Sequence, residues 1–412
     1  MPSSSPHRQR NQGRLATDKV PGAQAPQNSR PKRFTLLVGT PMAVAALLVG
    51  LLVPLGPNPL SQWAAAATPP VPSSAQVVDQ KGFNVLDQVL PPAQANATTL
   101  FIWPGVTEES LKAKPFHIYD GEFYEVIGAN PTLTLLAQSD KDPLFHEAVV
   151  WYPPTDEVFF VQNAGAADAG TGLNKSAIIQ KISLAQAKAA KNETNAVGKV
   201  DVTTVASNPQ VINPNVLVNN FFGRQFSSLN DIAIHPHTKD VYFTDTLYGF
   251  LQDFRPVPGL RNQVYRLNVA TGALTVVADG FTLPNGITFS PNGNYAYVTD
   301  TGANHGLQGW NYSDPSSLYR FDVKEDGTWE NRKTFAYVSS GVPDGVHCDV
   351  KGNVYAGCGD GVHVWNPSGK LIGKIYLGST SANFQFTGNS MVICAETELY
   401  YATFAATGPP IS

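Results

Sequence analysis

The sequence predicts an all-β fold, more specifically a β-propeller, on three observations. Only 15% of the 412 residues are charged, whereas 35 glycines and 32 prolines supply many turns. Apolar and polar residues alternate in short runs such as VYFTD and AYVTD, which is the pattern of half-buried strands. A polar motif followed by a hairpin of such strands recurs between residues 145 and 380. Recurrence of one unit of strands and turns is typical of propeller blades.

Four copies of the recurring unit are clear, and each leads from a polar motif into a hairpin. They read FHEAVVWYPPTDEVFFVQNAG from Phe145, SLNDIAIHPHTKDVYFTDTLYG from Ser228, LPNGITFSPNGNYAYVTDTG from Leu283 and VPDGVHCDVKGNVYAGCGDG from Val342. A second hairpin follows, such as NQVYRLNVATGALTVVADG from Asn262, which makes four antiparallel strands per unit. A fainter fifth copy begins near Ser381. A β-sandwich is the alternative, but its strands repeat without a shared motif.

Two further segments before the first copy resemble strands. They read GEFYEVIG from Gly121 and TLTLLAQ from Thr132. A propeller ring is closed when strands from the two ends of the chain share a sheet. We therefore expect these N-terminal strands to complete a C-terminal blade.

The first 80 residues precede the repeats and differ from them in composition. Residues 1–33 are polar and basic and predict a disordered tail. Residues 34–55 form a continuous apolar run, long enough for one membrane-crossing helix. Residues 56–80 are a proline-rich linker, which leaves residues 81–412 for the propeller domain. The apolar run has two interpretations, a retained transmembrane signal-anchor or a cleaved signal peptide.

Basic residues predict the orientation of this apolar run. Seven Lys and Arg residues precede it, and none follows until Lys81, which places the N-terminus in the cytosol. A retained anchor predicts a type II single-pass membrane protein with a lumenal or extracellular propeller, whereas cleavage near Ala67 predicts a secreted one. Both interpretations direct the domain to the secretory pathway. Glycosylation motifs agree with that destination and lie at Asn96, Asn174, Asn192 and Asn311.

Charge and cysteine content exclude two classes of function. The net charge is −4 and basic residues form no long run, so nucleic acid is not an expected partner. The three cysteines, Cys348, Cys358 and Cys394, have no C-x-x-C spacing, which argues against a zinc site. Cys348 and Cys358 flank a predicted hairpin turn, so a disulfide and buried free thiols both remain open.

An oxygen-bearing side chain stands at the start of the inner strand in each clear copy. These residues are Glu147, Asn230, Asn285 and Asp344. Inner strands line the central channel of a propeller, so we expect the four side chains to converge on its axis. Two carboxylates and two carboxamides suit Ca²⁺ or another divalent cation. Turn formation is the alternative for Asn285-Gly286 and Asp344-Gly345, but it does not explain Glu147.

Long loops follow the second strands of three copies and are expected on the same face as the four oxygens. They begin at Asn163, Thr246 and Thr301 and contain the candidate wall residues Tyr248, Phe250, Phe254, His305 and Trp310. Aromatic walls around a few polar groups are typical of small-ligand sites. We predict that Asn230, Tyr248, His305 and Trp310 bind substrate. Strand alternation predicts that His146 turns away from the channel, and Asp245 and Asp300 are predicted to cap turns.

Four motifs together resemble those of the gluconolactonase and regucalcin family, especially its fungal lactonohydrolase branch. They read HEAVVW, SLNDIAI, LPNGITFSPNG and PDGVHCDVKGNVYAG, and the likeness covers about residues 120 to 405. The resemblance implies six blades and one catalytic calcium or similar ion. It also implies that Glu147, Asn285 and Asp344 are metal ligands, that Asn230 contacts metal or substrate, and that Asp344 is the general base.

Two departures from the family pattern stand out. Ala148 and Val149 replace the usual Gly-Pro after the first glutamate, and no second-blade start is recognisable before Asn230. The resemblance implies a metal-dependent hydrolase that opens a small lactone ring of the aldonolactone or pantolactone type. The absence of a G-x-S-x-G motif argues against a serine nucleophile. The alternatives are an aryl-esterase or phosphotriesterase of the same propeller type, or a non-catalytic ligand-binding propeller.

Overall fold

The structure is a computed structural model and provides a view of most of the predicted propeller domain. It describes residues 69–91, 101–140, 142–162, 178–206 and 216–410. The predicted tail at residues 1–33 and the apolar run at residues 34–55 lie outside these ranges and stay predictions. Within these ranges, no helix is both long enough and apolar enough to span a bilayer.

Strands dominate the described residues. They are β1 (Ala75–Val77), β2 (Phe116–Ile118), β3 (Thr132–Gln138), β4 (Glu147–Tyr152), β5 (Glu157–Val161), β6 (Ile179–Ser183), β7 (Thr203–Ala206), β8 (Asn220–Phe221), β9 (Arg224–Gln225), β10 (Leu229–Ile234), β11 (Val241–Asp245), β12 (Gln263–Leu267), β13 (Leu274–Ala278), β14 (Pro284–Phe289), β15 (Tyr295–Asp300), β16 (Ser317–Val323), β17 (Trp329–Tyr337), β18 (Val346–Cys348), β19 (Val354–Cys358), β20 (Gly361–Trp365), β21 (Leu371–Tyr376), β22 (Asn383–Phe386), β23 (Ser390–Ala395) and β24 (Glu398–Thr403). The α-helices are α1 (Glu108–Ala113), α2 (Phe123–Ile127), α3 (Leu184–Ala190) and α4 (Tyr248–Leu251).

The strands assemble into separate sheets, each of which is one blade. Blade 1 is β4-β5-β6-β7, blade 2 is β10-β11-β12-β13 and blade 3 is β14-β15-β16-β17. Blade 4 is β18-β19-β20-β21, extended by β2 and β1, and blade 5 is β22-β23-β24-β3. The all-β propeller prediction is confirmed, and each clear sequence copy corresponds to the first two strands of blades 1 to 4.

The N-terminal part of the domain closes blade 5, as predicted from TLTLLAQ. Strand β3 pairs antiparallel with β24, with Thr132 opposite Thr403 and Gln138 opposite Glu398. The prediction for GEFYEVIG is wrong, because this segment forms helix α2. Its buried residues Phe123, Val126 and Ile127 have the three- and four-residue spacing of one helix face.

The predicted count of six blades is wrong for the part of the chain that the structure describes, which contains five sheets of four or more strands. The difference lies between blade 1 and blade 2. In the described part of this interval, β8 and β9 form only a two-stranded hairpin. Helix α3, whose sequence LAQAKAA is rich in alanine, the strongest helix former, lies within blade 1 between β6 and β7 and packs against β6 and β3.

Apolar cores lie between neighbouring blades. One cluster joins blades 2 and 3 through Tyr242, Ile287 and Val298, and another joins blades 5 and 1 through Cys394 and Phe160. The three cysteines are buried free thiols, so the disulfide alternative is wrong. Burial of aromatic and aliphatic side chains stabilises a domain by about 25 cal/mol per Å² of apolar area. These contacts fix the relative positions of the inner strands.

Candidate metal and substrate site

The four predicted oxygen residues line one cavity of about 470 Å³. Glu147 begins β4, Asn230 lies in β10 and Asn285 in β14. Asp344 precedes β18, and its backbone N–H donates to Gly357 O over 2.9 Å. Four blades thus each contribute one side chain to the same cavity. Their role as metal ligands stays a prediction.

Irregular strand pairing accompanies three of these positions, Glu147, Asn230 and Asn285. The pairing register shifts between Glu147 and Val150 in blade 1, as at a β-bulge, and at the same place in blades 2 and 3. Ala148 accordingly has a φ of 52°. Bulges near active sites redirect side chains and interrupt alternation. Both Glu147 and His146 line the cavity, so the prediction that His146 turns away is wrong.

Three of the four residues present a buried oxygen that lacks a hydrogen-bond partner within the described ranges. These atoms are Asn230 Oδ1, Asn285 Oδ1 and Asp344 Oδ1. Leaving a buried polar group unpaired costs about 1–3 kcal/mol, so such atoms in a native site indicate a missing partner. A hard divalent cation is the partner that carboxylate and carboxamide oxygens suit.

Glu147 completes the set and is held in place by a neighbour. Asn383 Nδ2 donates to Glu147 Oε2 over 2.8 Å, while Glu147 Oε1 lies 3.7 Å from His146 Nε2. Ligand atoms of His146, Glu147 and Asp344 lie within 4.8 Å of one another. The residues present therefore fit a cation site of net negative charge.

The electrostatics of the cavity agree with this description. Burial raises the pKa of Asp344, and the adjacent Glu147 carboxylate raises it further. Burial opposes protonation of His146, but Glu396, Glu147 and Asp344 outweigh that effect and raise its pKa to about 10. His146 Nδ1 lies 2.9 Å from Glu396 Oε1. The like charges of neighbouring carboxylates repel, which favours a cation between them.

Threonines of preceding blades hold the backbone at two of the oxygen positions. Thr244 Oγ1 in β11 donates to Asn285 O over 2.7 Å, and Thr299 Oγ1 in β15 donates to Asp344 O over 2.8 Å. Each bond runs from the second strand of one blade to the start of the next. The site is therefore fixed by contacts between blades as well as within them.

The aspartates that follow these threonines cap the entry of their own blade. Asp245 accepts the N–H groups of Ser227 and Ser228 over 3.0 and 2.7 Å. Asp300 accepts those of Thr282 and Leu283 over 3.0 and 2.8 Å. The prediction that Asp245 and Asp300 cap turns is confirmed.

The pocket wall agrees with part of the sequence prediction. Tyr248, Phe254 and Trp310 line the cavity, and Tyr248 OH donates to Asn304 O over 3.0 Å. His305 is not among the described residues that line it. Instead, His305 Nε2 lies 2.8 Å from Asp314 Oδ2, and this pair holds the ring within its own loop. The substrate-binding prediction for His305 is therefore not supported by its position.

Several lining residues were missed by the sequence prediction, namely Gln162, Gln252, Asn304, Thr380 and Glu396. Asn383, which bonds to Glu147, was missed as well. Its place in the faint fifth copy that begins near Ser381 was the available signal, because the start of an inner strand faces the channel in the other blades. Glu396 carries no such signal, since it lies in a turn with a φ of 61°.

Comparison with known proteins agrees with this architecture. Residues 147–393, more than half of the chain, match the family model described as SMP-30/Gluconolactonase/LRE-like region. The chain belongs to this family. The resemblance inferred from the four motifs is therefore confirmed, and the match begins at Glu147 itself.

Relatives within the SMP-30/gluconolactonase/LRE-like family include fungal and bacterial proteins. Lactonohydrolase oryL of Aspergillus oryzae is 27% identical over 301 residues, which cover 64% of this chain and 67% of the relative. Gluconolactonase of Zymomonas mobilis is 31% identical over 198 residues, covering 45% of this chain and 50% of the relative. A solved gluconolactonase structure from Xanthomonas campestris has a TM-score of 0.52 and 20% identity over 70% of this chain and 94% of that one, which supports the fold.

Proposed function

We propose that this chain is a divalent-cation-dependent hydrolase that opens the ring of a small lactone, of the aldonolactone or pantolactone type. The observation that carries the proposal is the convergence of unpaired oxygens from Asn230, Asn285 and Asp344 beside Glu147 in one cavity. The names of two family relatives, a lactonohydrolase and a gluconolactonase, support the choice of a lactone.

Glu147, Asn230, Asn285 and Asp344 would hold the cation, and Ca²⁺ is the ion that this oxygen-only donor set favours. When bound, such a cation acts as a Lewis acid that polarises an ester carbonyl. Thr244 and Thr299 keep the backbone of Asn285 and Asp344 in position. Positions held in this way before substrate binds need no reorganisation during the reaction.

Asp344 is the proposed general base. Its carboxylate faces the cavity and accepts a proton from the water whose oxygen attacks the carbonyl carbon. The ring C–O bond then breaks, the leaving oxygen takes up a proton, and a hydroxy acid is released. Tyr248, Phe254 and Trp310 provide the wall against which the ring packs, and they exclude water that is not part of the reaction.

Metal removal tests the proposal. The purified chain is treated with a chelator and dialysed, and Ca²⁺ is then added back while acid release is measured with glucono-δ-lactone, pantolactone, phenyl acetate and a phosphotriester. Lactone turnover above the spontaneous rate is expected only with the cation present. If phenyl acetate or the phosphotriester is hydrolysed faster, that compound class replaces the lactone as the proposed substrate. If the cation produces no turnover of any of the four compounds, the proposed hydrolase activity is refuted.

Replacing Asn383 by alanine is expected to weaken cation binding about 10- to 100-fold, the usual effect of removing a partner of a metal ligand. The reason is that Glu147 Oε2 loses the Asn383 hydrogen bond, so its carboxylate is no longer oriented. Isothermal titration with Ca²⁺ measures the change. Asn389→Ala, at an exposed turn position of the same blade, is the matched control. Equal Ca²⁺ affinity in Asn383→Ala and in the unmodified chain would show that Asn383 does not position Glu147.

A further inference from the structure

Gln162 is a cavity residue that the mechanism does not use. It directly follows β5, and its side chain lines the cavity on the blade 1 side. Only 6% of the residue is exposed, and neither Oε1 nor Nε2 has a hydrogen-bond partner in the described part of the chain. Burying a carboxamide without hydrogen bonds costs free energy, because both its oxygen and its nitrogen lose their contacts with water. Such a side chain indicates a ligand that offers a donor and an acceptor together.

The repeat shows that Gln162 has no structural role of the kind found in neighbouring blades. The segments FFVQN, YFTDT and YVTDT align, so Gln162 corresponds to Asp245 and Asp300. Those aspartates cap the chain entering their blades. In blade 1 the entering chain is held differently, because Phe145 and Glu396 exchange two backbone hydrogen bonds of 2.9 and 2.8 Å. The Gln162 carboxamide is thus available to a ligand.

We propose that Gln162 determines substrate specificity by hydrogen bonding to a hydroxyl group of the substrate. This inference rests on the proposed lactone hydrolysis. A hydroxyl both donates and accepts, which matches Oε1 and Nε2, and two adjacent hydroxyls satisfy both atoms at once. A lactone without hydroxyls leaves the carboxamide unpaired in the complex. Sites built to bind a hydroxyl discriminate strongly against analogues that lack it, for this reason.

The test compares two six-membered lactones, glucono-δ-lactone with hydroxyls and δ-valerolactone without them. The full chain and its Gln162→Leu variant are assayed with Ca²⁺, and the ratio of the two kcat/KM values is calculated for each. Loss of one or two hydrogen bonds is expected to lower the preference for the hydroxylated lactone about 10- to 100-fold. Gln308→Leu is the control, because Gln308 is exposed in a loop on the same face and is not among the described residues lining the cavity.

A binding measurement separates failure of this inference from failure of the proposed function. Binding of 1,5-anhydroglucitol, a ring with hydroxyls and no ester, is titrated by calorimetry with both proteins. Weaker binding to Gln162→Leu supports the inference even if neither lactone is hydrolysed, a result that would refute only the lactonase. An unchanged kcat/KM ratio with unchanged anhydroglucitol binding overturns the role of Gln162. Equal losses with both lactones also overturn it, since they indicate a structural effect.

Discussion

Replacing Asp344 by asparagine is expected to lower kcat for lactone hydrolysis about 10³-fold, within the range for loss of a general base. Asparagine keeps the shape of the side chain and one carbonyl oxygen for the cation, but it cannot accept the proton of the attacking water. The backbone contacts of this position, from Thr299 Oγ1 and to Gly357 O, do not involve the carboxylate and remain. Initial rates with glucono-δ-lactone at saturating Ca²⁺ measure the effect.

Calcium titration of the same variant distinguishes the two roles assigned to Asp344. If Asp344 is both general base and ligand, Asp344→Asn binds Ca²⁺ more weakly. Its kcat also stays low when Ca²⁺ is raised to saturation. Recovery of full activity at high Ca²⁺ would make Asp344 a ligand only and would refute the base assignment. Glu325→Gln, on the exposed turn between β16 and β17, removes a carboxylate far from the cavity and is expected to leave kcat unchanged.

The sequence predicted the four oxygen positions because the propeller repeats them. Each copy places its polar motif at the start of an inner strand, so symmetry alone brings Glu147, Asn230, Asn285 and Asp344 together. The closing strand β3 was predictable for a similar reason, because TLTLLAQ alternates and has no partner nearby in sequence. Repetition and periodicity in the sequence were therefore sufficient to predict the fold class and the four candidate metal ligands.

Features that break the repeat could not be predicted in this way. His146 and Glu147 both line the cavity although they are adjacent in sequence, which strand alternation does not predict. Helix α2 was mistaken for a strand because a short apolar run suits either structure. Gln162 became informative only when the structure showed that Phe145 and Glu396 hold the entry of blade 1.

Replacing Gly286 by alanine is expected to destabilise the domain by about 3 kcal/mol, the upper part of the usual range for overpacking. A Cβ at this position would lie 2.3 Å from Asp344 O and 2.9 Å from Val346 N. Both are backbone atoms, so blades 3 and 4 must separate to make room. This close approach, rather than a turn, is the reason for glycine after Asn285. Thermal unfolding measures the loss as a lower Tm.

Activity should fall in Gly286→Ala even at temperatures where the protein is folded. Asp344 O is the atom that the new Cβ displaces, and Thr299 Oγ1 holds that same atom, so the Asp344 side chain moves with it. A displacement of about 1 Å at a reacting group costs about 10²-fold in rate. Gly121→Ala is the matched control, because a Cβ there meets nothing within 4 Å. A Gly286→Ala variant with unchanged Tm and kcat would mean that the contact between blades 3 and 4 does not position Asp344.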